Sequence, residues 1–237
     1  MKRNPSAGIV FDLFHTLVDP EEFRPKEFHR AEAVADLLAL DKPKFLSYWQ
    51  SIVGQRMTSP RLGTDYIKDF AALAGVALSP SALAEADRLL GLYQDIAILS
   101  PQEEVLTGLK TLKERGCKLG LLSNTYERDV REWPHSPLAN LFDATAFSDE
   151  IGTAKPEVMA YLEILGRLDV EPWNCTFVGD GSNQELLGAK KVGFGRVVQM
   201  RKFVAKNGMR TKEELEELAS QADLSVNSFK ELCDVVG

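Results

Sequence analysis

Three acidic side chains fall where they could share one chemical task. Asp12 closes the apolar run GIVF and is followed four residues later by the hydroxyl of Thr16; Asp180 closes another apolar run in VGDGSNQELLGA, with Glu185 five residues further on. Carboxylates gathered at strand ends repel one another unless a cation intervenes, so this set points to a Mg²⁺-sized hard ion held by few protein ligands and several waters. Ser123, which with Asn124 lies just past KLGLL, the adjacent backbone amides, and Lys155 in TAKPE supply donors for an anionic group held against that ion. A metal, a carboxylate nucleophile and a cluster of anion donors together describe phosphoryl transfer or a related displacement.

Such residues need a scaffold that brings distant segments to one edge. Ile9-Val10-Phe11 is an apolar run suited to a buried strand, and KLGLLSN, NCTFVGD and GRVVQM are three more, each ending at a polar or glycine-rich turn. Helical patterns lie between them. SPQEEVLTGLKTLKERG is expected to start with Ser100 as N-cap, Pro101 in the first helical position and Glu103 completing a capping box; KPEVMAYLEILGRL and QELLGAKKVG give two further helices. Strands alternating with helices predict right-handed crossovers and an α/β, doubly wound parallel sheet, with the ligand at the carboxyl ends of the strands.

From about residue 20 to 99 the alternation stops. FHRAEAVADLLAL, PKFLSYWQSIV, TDYIKDFAALAGV and PSALAEADRLLGLYQDIAIL repeat apolar residues at three and four, which predicts a helical bundle inserted after the first strand. Residues 1–19 and 100–237 then form the α/β core and 20–99 an α-helical cap domain. The tail adds a helix in KEELEELAS, a possible edge strand in ADLSV and a closing helix in NSFKELCDVV.

Composition narrows the partners. A formal charge of −7 and the lack of a long Lys/Arg block argue against a surface built to neutralise nucleic-acid phosphates. Cys117, Cys175 and Cys233 are odd in number and set in apolar segments, which fits reduced core thiols and a cytoplasmic location. The apolar run after the N-terminal MKRNPSAG is short and interrupted by Asp12, so neither a signal peptide nor a membrane span is expected.

With these residues in place the chain resembles the haloacid dehalogenase-like hydrolase superfamily, a Rossmann-like core with a cap. FDLFHTL matches its first motif, LLSNT the second, Lys155 in AKP the third and VGDGSNQELLGA the fourth, and the helical insert sits where that family carries its cap. The resemblance implies that Asp12 is the nucleophile and forms an aspartyl intermediate, that Thr16 and Ser123 bind the transferred group, and that Lys155 balances charge. It further implies that Asp180 holds Mg²⁺ together with Asp12 and the backbone carbonyl of Phe14. Glu185 stands one residue later than the usual second acid of the fourth motif. The substrate expected is a small phosphate ester or acyl phosphate, and the protein a monomer or homodimer.

The departure is Phe14. Family phosphatases carry there a second aspartate that protonates the leaving oxygen and activates water, help worth on the order of 10²–10⁴ in rate. The dehalogenase branch carries a tyrosine at this place and dispenses with metal, but it lacks the acid at the position of Asp180. The signature is mixed. The acids favour a phosphate-type substrate with a good leaving group, and a haloacid carboxylate would be repelled by an uncompensated Asp180, which ranks 2-haloacid dehalogenation second and a catalytically silent binding module third. Each residue also has a plainer role open to it: Asp180 as a helix cap, Glu185 as a partner of a helix dipole, Lys155 on the surface, His15 satisfied within a tight turn, and Phe14 as core filling.

Overall fold

The computed structural model describes residues 8–236. Six parallel strands, β1 (Gly8–Phe11), β2 (Lys118–Ser123), β3 (Ala144–Phe147), β4 (Cys175–Gly179), β5 (Arg196–Met200) and β6 (Leu224–Val226), form one sheet in the order β3-β2-β1-β4-β5-β6. Every residue of the central strand β1 is buried, as an apolar strand covered on both faces must be. Its register places Phe11 beside Leu121 on one side and Val178 on the other. The strand order reverses between β1 and β4, and the crevice of such sheets opens at that switch, beyond the carboxyl ends.

Alternate side chains feed two cores. Ile9, Phe11, Leu119, Leu121 and Val198 pack on one face with Leu109 and Phe229 from α6 (Glu103–Glu114) and α12 (Phe229–Val236). Val10, Leu122, Phe177 and Val197 pack on the other with Tyr161 and Leu186 from α8 (Val158–Leu168) and α9 (Glu185–Val192). The period of two along β1 thus sends neighbours to opposite layers. Each fully buried side chain of this size contributes about 1.5–3 kcal/mol. Shorter helices, α7 (Ser148–Ile151), α10 (Lys202–Lys206) and α11 (Lys212–Ser220), complete the layers.

Between β1 and β2 run α1 (Arg30–Leu37), α2 (Lys42–Ser51), α3 (Val53–Met57), α4 (Gly63–Leu73) and α5 (Pro80–Leu99). They enclose a third apolar cluster of their own, built from Val34, Phe45, Trp49, Ile67, Phe70 and Leu90. Local signals set their ends: Asp41 accepts the Lys44 amide at 3.2 Å and the Ser79 hydroxyl accepts the Ala82 amide at 3.1 Å, with Pro80 opening α5.

Two expectations differ from the structure. Ser100 does not cap α6, which starts at Glu103 with Gln102 before it and no side-chain cap. The Ser100 amide instead donates to Ile96 at 2.9 Å, so this residue ends α5 and is spent there. Strand β3, ATAF, has no counterpart in the sequence reading, because four residues with two alanines carry little strand signal and only pairing with β2 reveals them. The ADLSV segment does supply the edge strand β6, and no helix among the described residues is long and apolar enough to cross a membrane.

Candidate active site

Asp12 directly follows β1, and its amide still donates to Val178 at 2.9 Å, so the sheet dictates where the carboxylate stands. The next residues turn sharply. The amides of Leu17 and Val18 both donate to the Leu13 carbonyl, at 2.8 and 3.1 Å, and His15 donates to Val18 at 2.7 Å. His15 takes φ +62°, a left-handed conformation that costs a non-glycine residue about 1–2 kcal/mol. Its Nδ1 is buried without a hydrogen-bond partner, as are Thr16 Oγ1 and Ser123 Oγ. Thr16 is fully buried and Ser123 1% exposed, so both hydroxyls stand in the desolvated state that a ligand normally relieves. Phe14 is half-buried against the core cluster on its side of the sheet.

Ser123 ends β2, beside the end of β1, and Asp180 directly follows β4. Asp12, Asp180 and Glu185 each offer an oxygen, and these oxygens all lie within 4.8 Å of one another. The Lys155 ammonium stands among them, 2.5 Å from Asp12 Oδ1 and 2.5 Å from Glu185 Oε2. Asp180 accepts from the Ser182 amide at 3.0 Å and hydroxyl at 2.8 Å, and from the Arg210 guanidinium at 2.9 Å. Glu185 also takes the Gly181 amide at 3.0 Å. Gly179 makes room for that carboxylate, since a Cβ there would lie 2.2 Å from Glu185 Oε1.

Burial dominates the electrostatics. It pushes Glu185 up to about 8 and raises Asp12, with Lys155 opposing the shift in both and the neighbouring acids adding to it. For Lys155 burial acts downward, but Asp12 and Glu185 on two sides outweigh it and hold the ammonium charged. The acids are chemically suited to a hard divalent ion, offering oxygen ligands alone within one small volume.

Of the residues expected from the sequence, Asp12, Lys155, Asp180 and Glu185 come together in one cluster, and two other expectations are refined. Asn124 does not face the cluster with its amide: Oδ1 accepts from the Lys155 backbone N–H at 2.7 Å and Nδ2 donates to the Lys155 carbonyl at 2.8 Å. It is a positioning residue for the lysine. Asp180 is not uncompensated, because Arg210 pairs with it. Nothing in the segment KNGMRTKEE marks Arg210 beforehand; only the fold brings the connection between α10 and α11 over the end of β4.

Comparison with known proteins identifies the family. The sequence pattern of the haloacid dehalogenase-like hydrolases matches residues 7–193. A glyceraldehyde 3-phosphate phosphatase of Methanocaldococcus jannaschii is 26% identical, covering 97% of this chain and 96% of that protein. An (S)-2-haloacid dehalogenase of Pseudomonas sp. is 25% identical over 79% of this chain and 80% of its own. Among solved structures, a phosphatase from Thermococcus onnurineus superposes with a TM-score of 0.64 at 23% identity, covering 97% of both chains, which establishes the shared fold. On its motifs, its sheet and its matched length, the chain belongs to the haloacid dehalogenase-like hydrolases.

Proposed function

We propose that this hydrolase is a Mg²⁺-dependent phosphatase acting in the cytoplasm on a small phosphate ester or acyl phosphate, with Asp12 as nucleophile. The observation that carries this reading is the three-acid cluster, together with two buried, unpartnered hydroxyls on the turn after β1 and at the end of β2. Asp12, Asp180 and Glu185 or the Phe14 carbonyl would hold the ion, which when bound neutralises charge on the phosphoryl oxygens. Thr16 and Ser123 donate to those oxygens, and Lys155 balances the charge that accumulates as Asp12 Oδ attacks phosphorus and the ester oxygen departs with the bonding electrons. Water then cleaves the aspartyl phosphate, returning the carboxylate and releasing phosphate.

Phe14 offers no proton to the departing oxygen, so the enzyme is suited to leaving groups that are stable as anions, such as carboxylates and aryloxides. The 26% identity to a phosphatase across nearly the whole chain supports the same chemistry. The test is phosphate release from p-nitrophenyl phosphate, acetyl phosphate and sugar phosphates, with Mg²⁺ or EDTA and with Asp12→Asn as control. Mg²⁺-dependent turnover, highest on the activated esters and absent in Asp12→Asn, is the expected result; no turnover on any of them overturns the reading.

One observation favours a second reading. Lys155 and Arg210 already supply two cations to the three acids without a metal, and the aromatic Phe14 stands where dehalogenases carry a tyrosine. Metal-independent halide release from a 2-haloacid would select that alternative.

A further inference from the structure

A cavity of about 300 Å³ lies between the helices α1–α5 and the chain that follows β2, within the size range of small-molecule sites. Its lining includes Tyr126 and Asp129, two and five residues after Asn124 in the chain that leaves the carboxyl end of β2, the edge of the sheet that also carries Asp12.

Five arginines line it: Arg24, Arg30, Arg56, Arg61 and Arg128. Four are ion-paired within the protein, to Glu21, Asp129, Asp69 and the pair Asp87/Asp95 respectively. Arg56 has no such carboxylate among the described residues. It is only 7% exposed, and its Nε is buried without a hydrogen-bond partner. Its guanidinium is sandwiched between rings, 3.9 Å from the centroid of Trp49 and 4.2 Å from that of Tyr126. The Tyr66 hydroxyl, on a residue 1% exposed that also lines the cavity, is likewise buried and unpartnered.

A buried charge is normally paired or meets a ligand. With both faces covered by aromatic rings, the Arg56 N–H groups can bond only at the edge of the plane, in the fork that matches a planar carboxylate. Tyr66 adds a neutral donor that can bond a carboxylate oxygen. We infer that this cavity binds a carboxylate at the far end of the substrate through Arg56 and Tyr66, and that the enzyme takes small phosphate esters that are also carboxylic acids. The inference rests on the phosphatase reading of the Asp12 site and adds a substrate class to it.

The test compares kcat/KM for 3- and 4-carboxyphenyl phosphate with that for phenyl phosphate, in the unaltered enzyme and in Arg56→Gln, Arg56→Lys and Tyr66→Phe. The acids are expected to be preferred by about ten- to hundredfold, with the preference lost in Arg56→Gln and reduced in Arg56→Lys, which keeps the charge but not the fork. Tyr66→Phe removes one oxygen without changing shape and should lower the preference about three- to tenfold, so a folding failure of the arginine variants leaves the question open to measurement. Equal rates on acid and neutral esters overturn the assignment, as does a stronger preference for fructose 1,6-bisphosphate.

Calorimetric binding of phosphonoacetate against methylphosphonate separates the two readings. If no ester is hydrolysed but phosphonoacetate binds more tightly and through Arg56, the phosphatase reading fails and the carboxylate site stands. Equal affinities overturn the site whatever the activity.

Discussion

Arg210 donates to Asp180 Oδ2 across 2.9 Å, placing a guanidinium on an acid that the proposed ion would have to share. The same arginine also donates to Ser182 Oγ at 2.8 Å, so it is held by two acceptors. Binding of the proposed ion would therefore compete with an internal cation. Arg210→Ala is expected to raise Mg²⁺ affinity about three- to tenfold, since one half-screened attraction is removed. Isothermal titration with Mg²⁺ checks this, and an unchanged or weaker affinity would show that the arginine is no competitor.

Lys155 is 4% exposed and binds two buried carboxylates at once. Lys155→Met leaves both without their cation, at a cost of about 3–5 kcal/mol. Urea unfolding in EDTA measures it. A loss below about 1 kcal/mol would place the lysine outside the network that holds the site together.

The raised Glu185 gives stability a pH dependence. Burial holds this carboxyl near 8 in the folded chain against 4.5 for an ordinary glutamate, so the folded state keeps a proton that the unfolded state releases. That contribution is complete below about 4.5 and lost as pH rises through about 8. Melting temperature in EDTA should fall between roughly pH 5 and 8.5, and Glu185→Gln should flatten the slope. A flat profile in the unaltered protein would contradict the shift.

Phe14→Asp would give the proposed phosphatase chemistry a proton donor. Turnover of poor leaving groups such as glycerol 3-phosphate should rise by on the order of 10²-fold, and that of p-nitrophenyl phosphate by much less. Parallel changes on both substrates would mean that the substitution reshapes the pocket and does not supply an acid.

Cys175 is 1% exposed, and burial pushes its thiol up to about 12, with Cys117 and Cys233 also raised. All three thiols should resist aromatic disulfide reagents in the folded protein and react in denaturant. One rapidly titrating thiol in the native state would contradict this.

The candidate site was legible because its residues punctuate apolar runs: Asp12, Ser123 and Asp180 stand where a buried strand stops and polar chain begins. Lys155 was legible through its motif, although what fixes it, the two-point grip of Asn124 on its backbone, is a matter of side-chain direction that spacing does not encode. Arg210 and β3 were not legible, since each acquires meaning only from a partner distant in the chain. Arg56 and Tyr66 looked like any aromatic and basic residues on helices; their distinction is the lack of a partner, which only packing exposes.

The α1–α5 helices have their own apolar cluster; Ala97 and Ile98 at the end of α5 anchor them in the core of the sheet, and ion pairs add to that anchor. Arg128 pairs with Asp95 at 2.5 Å, Arg131 with Asp87 at 2.6 Å, and Arg30 with Asp129. Gly91 lets the Arg128 guanidinium lie flat against α5, where a Cβ would come within 2.1 Å of it. Swinging these helices away would break ionic stitches and would also pull Ala97 and Ile98 out of the apolar cluster of the sheet. The more exposed stitch, Arg131 with Asp87, should weaken as salt is added, while the nearly buried pair of Arg128 with Asp95 is screened much less.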